Sequence, residues 1–140
     1  MARHFLLLVL SLIVGCDSVV DHPEPYTGVI EVSLAEADEV ALRLVAVDDV
    51  SCGDPLVVSL DRGTVRRTVA VEGIVRPTDG TCLALIAPVA IVPLELGPEL
   101  PGGYSIEVDH AGSVDLYALD MTAPRPTLAA VRTSQTRLAE

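Results

Sequence analysis

The sequence predicts an all-β, antiparallel sandwich of seven or eight short strands. Three observations carry that expectation. Apolar residues recur at every second position in several short runs, the period of a strand with one buried face. Clusters of Gly, Pro, Asp and Ser separate the runs at intervals of about eight to twelve residues. Before residue 120 no long stretch carries the 3.6-residue apolar period of a helix.

Taken in order, Ile30, Val32 and Leu34 alternate with Glu31 and Ser33. Residues 40–47 (VALRLVAV) are apolar nearly throughout and suit a central strand. Residues 35–39 (AEADE), between these two runs, could form a helical turn. A short Val-rich run follows at 56–60. Residues 64–75 alternate with Val65, Val69 and Val71 in phase, but Arg67 falls in the same phase, so a bulge or an edge position is expected. Two apolar runs, 82–87 and 89–96, are split by Pro88, and Pro93 inside the second marks an edge strand or a kink. Tyr104, Ile106 and Val108 alternate with Ser105, Glu107 and Asp109, and a last run spans 114–119. The breaks between runs are turn chemistry, among them Gly53-Asp54-Pro55, Asp61-Arg62-Gly63 and Ala111-Gly112-Ser113.

The N-terminus has a different organisation. One positive charge, Arg3, precedes an apolar run over residues 5–14 (FLLLVLSLIV). Crossing a bilayer as a helix takes roughly twenty residues, so this run fits the core of a removable secretory signal. Ile13-Val14-Gly15-Cys16 follows it. This quartet resembles the lipobox of bacterial lipoproteins: an aliphatic residue at −3 (Ile in place of the commoner Leu), a small or aliphatic one at −2, Gly, then Cys. The resemblance implies cleavage between Gly15 and Cys16 and acylation of Cys16 by palmitate-like chains. It places the protein in the cell envelope, lipid-anchored to a bacterial membrane and facing the periplasm or the exterior. Two or three acyl chains anchor stably where one does not. A conventional signal with an unmodified Cys16 is the alternative. The implied organisation is a signal peptide at 1–15, a lipidated Cys and extended tether at 16–26, a sandwich at 27–120 and a tail at 121–140.

Cys52 and Cys82 remain once Cys16 is assigned. An exported domain meets an oxidising compartment, and two cysteines allow one pairing, so a structural disulfide between them is expected. Two free thiols, or a redox or metal role, are the other readings. With no CxxC and no His near either Cys, zinc is poorly supported.

The chain is half hydrophobic by composition, enough for a core. Its formal net charge is −11, which argues against nucleic acid as a partner. The charge is unevenly spread. Residues 17–120 hold 19 acids and 5 Arg, whereas residues 121–140 hold Arg125, Arg132 and Arg137 against Glu140 alone. The tail reads as a flexible or partly helical terminus, or else as a basic segment that docks on a partner or on its own acidic domain.

The second half carries a further resemblance. Arg76-Pro77 followed by Cys82, an apolar strand at 89–96, the run Gly103-Tyr104-Ser105-Ile106-Glu107-Val108 with its hairpin, and a final strand at 114–119 resemble a small domain of uncharacterised secreted bacterial lipoproteins. The earlier Cys52 belongs to the same pattern, and Tyr117 stands where that group often has Phe. The resemblance implies an immunoglobulin-like sandwich and brings no catalytic residues.

A Ser–His–Asp hydrolase would have to use His110, since His22 lies in the tether. Asp109, Ser113 and Asp115 are its neighbours in sequence, but successive strand residues point to opposite faces, and there is no G-x-S-x-G elbow. His110 therefore reads as a strand-end surface residue. Asp48, Asp49, Asp54, Asp61 and Asp79 fall in or beside loops and could suit calcium, though scattered acids more often form a solvated face. Three tyrosines in the mature chain make poor platforms for sugar rings. The expected function is therefore a non-enzymatic, membrane-anchored binding or structural module for an envelope protein, with no cofactor and no resident metal. A small hydrolase built on His110 and a calcium-dependent adhesion or ligand-binding domain are the alternatives.

Overall fold

The structure is a computed structural model and describes residues 22–35, 38–49, 52–76, 85–97, 103–122 and 124–140. Among these, nine strands form two sheets. β2 (Ala41–Ala46) lies between β1 (Ile30–Ala35) and β5 (Val89–Pro93), and β9 (Thr136–Leu138) lies beyond β1, giving the order β5-β2-β1-β9. The second sheet runs β3 (Leu56–Arg62), β4 (Arg66–Ile74), β6 (Tyr104–His110), β7 (Ser113–Asp120) and β8 (Thr127–Arg132). No helix is present among the described residues.

The period-2 patterns do what they predict. Ile30 and Val32 of β1, Leu42 and Leu44 of β2, and Ile106 and Val108 of β6 are fully buried and share one core with Tyr117 and Leu119 of β7. That core lies between the sheets, so the architecture is a sandwich. The hairpin between β6 and β7 is a two-residue turn with Ala111 at φ 51° and Gly112 at φ 76°. Both central residues have the positive φ that matches strand twist in such turns. β5 ends on Pro93 at a sheet edge, as its proline requires.

Three expectations need correction. The sheets are mixed, not purely antiparallel: β4 pairs parallel with β6, and β1 pairs parallel with β9. The cause is that β5 leaves for the other sheet, so β4 and β6 meet without being joined by a hairpin. The tail is neither loose nor helical, because β8 extends the sheet beside β7 and β9 pairs with β1. These two strands also raise the number from seven or eight to nine. The helix-permissive composition of residues 128–140 is overridden by edges that offer unpaired backbone groups.

The third correction concerns the tether. From Glu24 onward the chain is fastened to the domain. The amide of Glu24 donates to the Ile74 carbonyl at 2.8 Å, and the amide of Ile74 donates back to Glu24 at 2.9 Å. Gly73 permits this approach. It sits at φ 146°, and a Cβ there would lie 2.1 Å from the Glu24 carbonyl oxygen. Gly73→Ala should therefore displace residues 22–26 and lower stability by about 1–3 kcal/mol, the scale of a strained non-glycine backbone. Faster amide exchange at Glu24 and Ile74 would register the change.

All strands run end to end, so the connections cluster at two poles. The 22–29 approach, residues 47–49 and 52–55, the β6–β7 hairpin and residues 133–135 share one pole. Residues 63–65, 94–97, 121–122 and 124–126 lie at the other.

Candidate functional site

The polar groups that a reaction or a ligand would need are drawn into three clusters. Two lie at the pole where the N-terminal segment enters, and the third lies at the opposite pole.

The first cluster centres on His110. It continues the inward phase of Tyr104, Ile106 and Val108 and is 1% exposed, so it is not the surface residue expected. Its Nε2 lies 2.7 Å from the Gly28 carbonyl oxygen. A carbonyl only accepts, so Nε2 carries the proton and donates. Nδ1 is buried with no hydrogen-bond partner. The ring stacks on Tyr26 at 5.7 Å between centroids. The Tyr26 hydroxyl donates to the Val29 carbonyl, and the Val29 amide donates to Asp48 at 3.0 Å. Burial pushes the Tyr26 hydroxyl up, and the charges of Asp48 and Asp49 add to this, against a backbone hydrogen bond with Asp48 that lowers it. Beside this cluster, Arg76 reaches Glu24 at 2.9 Å, Asp49 at 2.8 Å and Asp54 at 3.7 Å. His110 thus clasps the incoming chain.

The second cluster is Asp115, 1% exposed on β7. Its carboxylate accepts five hydrogen bonds of 2.6–2.9 Å, from the amides of Ser134, Gln135 and Thr136 and the hydroxyls of Ser134 and Thr136. Burial pushes this carboxyl up, but the hydrogen bonds outweigh it and hold it at about 2. The Tyr117 hydroxyl shares the Thr136 hydroxyl. Asp115 therefore caps the three residues by which the chain passes from β8 in one sheet to β9 in the other.

The third is Arg67, which points inward near the start of β4 and is 6% exposed. Its guanidinium donates to the Leu94 carbonyl at 2.9 Å, to Glu95 at 3.1 Å, and to the carbonyls of Gly63 and Arg66. It lies 5.4 Å over the Tyr104 ring. Tyr104 in turn donates to the Gly97 carbonyl at 3.0 Å.

No hydrolytic constellation is assembled around His110 by these contacts. Asp109 is exposed, the Ser113 hydroxyl pairs with Ser134, and Asp115 is spent on the 134–136 turn. Of the loop acids weighed for calcium, Asp48 holds a backbone amide, while Asp49 and Asp54 face Arg76. Among the described residues no three His, Cys, Asp or Glu side chains form a metal-binding group. Asp79 lies outside the described residues, as do Gly15, Cys16 and Cys82. Cys52 is disulfide-bonded. It forms an isolated parallel bridge with Ile86.

The chain matches no family model, no curated protein and no solved structure.

Sequence reasoning missed the burial of both His110 and Asp115. The signal was present. His110 extends the apolar phase of β6, and Asp115 shares its phase with Tyr117 and Leu119. A polar residue in an otherwise apolar phase, next to a hairpin, marks a buried hydrogen-bonding hub.

Proposed function

We propose that this protein is a bacterial envelope lipoprotein whose acylated Cys16 anchors a non-enzymatic binding or structural module for another envelope protein. The carrying observation is the N-terminal order Arg3, apolar run, Ile13-Val14-Gly15-Cys16. The clasp at Glu24, Tyr26 and Gly28 supports it, because it leaves only residues 17–23 between anchor and domain. Seven residues span at most about 25 Å, so the domain would stand close to the bilayer with its His110 pole inward. The three polar clusters support a scaffold over an enzyme, since their hydrogen bonds go to the protein's own backbone and neighbouring side chains.

The proposed disulfide joins Cys52 to Cys82. The Cys52–Ile86 bridge supports it by bringing the chain four residues after Cys82 alongside Cys52. Closing that loop of about thirty residues would contribute about 3–4 kcal/mol in the chain-entropy model.

Both parts are testable in one preparation. Wild-type protein expressed in a bacterial host should incorporate labelled palmitate and partition into detergent, and Cys16→Ala should do neither. Equal partitioning of the two would remove the anchor. Intact mass after alkylation should show Cys52 and Cys82 blocked only if reduction came first. Alkylation of either without reduction would remove the pairing. In-cell crosslinking of wild type beside Cys16→Ala should then show a protein adduct that depends on the anchor.

A further inference from the structure

The sandwich has four sheet edges, and three of them carry features that deter further pairing. β3 ends in Asp61-Arg62, with Arg62 ion-paired to Glu95 at 2.6 Å. β5 ends in a proline. β9 is three residues long and bears Arg137, which is paired with Glu31. Charges, prolines and short length are the usual means of blunting an edge.

β8 has little of this. It is six residues long, TLAAVR, with no charge before Arg132 and no proline. Five of its residues are exposed and Leu128 is half-buried. Among the described residues only β7 pairs with it, and the ladder skips Val131, which is 60% exposed. On the outer face, Val131 joins Ser105, Leu116 and Ala118 around a shallow depression of about 430 Å³.

The charges at its ends indicate what would fit. Arg62, Arg66, Arg76 and Arg137 are ion-paired to carboxylates, and Arg67 donates to four carbonyls. Arg43 on β2, and Arg125 and Arg132 toward the two ends of β8, have no carboxylate partner among the described residues, and Arg132 donates to the Val114 carbonyl at 3.3 Å. Arg125 and Arg132 stand seven residues apart in sequence, and the extended part between them, Thr127–Arg132, spans roughly 17 Å. Residues 121–140 are also the part of the chain with a basic balance, while residues 17–120 are strongly acidic. An acidic strand is therefore attracted to β8 and repelled by the remaining surface, and both effects favour specificity.

We propose that β8 is a docking edge for an extended acidic segment of a partner protein. The segment adds a sixth strand to the β3-β4-β6-β7-β8 sheet and sets carboxylates near Arg125 and Arg132. Backbone hydrogen bonds would supply affinity, and the Val131 depression would take an apolar side chain. This inference rests on the reading of the protein as a binding module and names the surface and the partner's chemistry.

The test is selection from a displayed library of random octapeptides on the purified full-length protein in detergent. Selected peptides should carry Asp or Glu toward both ends around β-branched residues. Their affinity should fall at least tenfold with Arg125→Glu/Arg132→Glu, and that variant should select basic ends instead. Val131→Pro, at the residue the β7 ladder skips, should abolish binding while circular dichroism and melting show a folded domain. If that variant unfolds, the charge-reversed protein still decides. Failure to enrich acidic ends, or affinity indifferent to charge reversal, would overturn the proposal. So would sedimentation showing a dimer that Val131→Pro abolishes, since β8 would then serve a second copy. Selection uses purified protein whatever the state of Cys16, so its failure is separate from failure of the anchoring experiment.

Discussion

Replacing Asp115 with Asn should destabilise the protein by about 4 kcal/mol, from charged hydrogen bonds lost and buried donors left unsatisfied. Oδ2 accepts from the amides of Gln135 and Thr136 and from the Thr136 hydroxyl. An amide nitrogen in that place would set donor against donor. The turn that carries the chain between the sheets would open, and β9 would leave β1. A fall of about 15 °C in melting temperature is the expected scale for a domain of this size. Urea titration measures the difference directly, and amide exchange should find the loss concentrated at residues 134–138. A fall of less than about 1 kcal/mol, the scale of a single ordinary hydrogen bond, would mean that Asp115 does not hold the turn.

The same residue predicts a pH dependence. Its folded-state pKa is lowered from 3.8 to about 2. A depressed carboxyl contributes stability that is fully present above its unfolded value and is lost as pH falls through its folded one. The wild type should therefore lose about 2 kcal/mol from this group between about pH 4 and pH 2. Asp115→Asn has no such carboxyl, so the gap between the two proteins should narrow over that window. A gap that stays constant down to pH 2 would contradict the hydrogen-bonded account of the carboxylate.

Arg67→Ala should be the second severe substitution, at about 3 kcal/mol. One planar guanidinium satisfies the carbonyls of Leu94 and Glu95 after β5, of Gly63 before β4 and of Arg66 at its first position. Removing it leaves those carbonyls unpaired beneath Tyr104 and frees Glu95, which is held at φ 46°. That conformation is uncommon for a residue with a side chain and persists where its surroundings enforce it. Arg67→Lys should recover less than half of the loss, because a point charge cannot reproduce a planar fork of donors. The readouts are equilibrium unfolding and amide exchange at residues 94–97. Full recovery by Lys would show that charge, and not geometry, is what matters there.

These two residues show where local reasoning reaches its limit. Arg67 was legible as an oddity, a charge in the apolar phase of its strand. The bulge or edge position expected there is not found, since β4 lies between β3 and β6 and its register shift falls opposite Val57 and Val58; a strand's own residues do not reveal which carbonyls lie beyond its end. Asp115 and His110 read as polar neighbours around a hairpin. Their partners are 19 to 82 residues away in sequence, at Ser134 and Gly28. The tail was read from composition, and composition carries no information about an open strand edge waiting elsewhere in the fold.

By itself, the sequence determined the class of the fold, the placement of most strands and turns, and which face of each strand turns inward. Those properties follow from period-2 patterning and from Gly and Pro backbone preferences, which act over a few residues. Tertiary structure alone decided the parallel pairing of β1 with β9 and of β4 with β6, the docking of residues 22–29, and the burial of His110 and Asp115. Each of those depends on a contact between distant segments, where the free energy of satisfying a buried polar group or an unpaired edge outweighs local propensity.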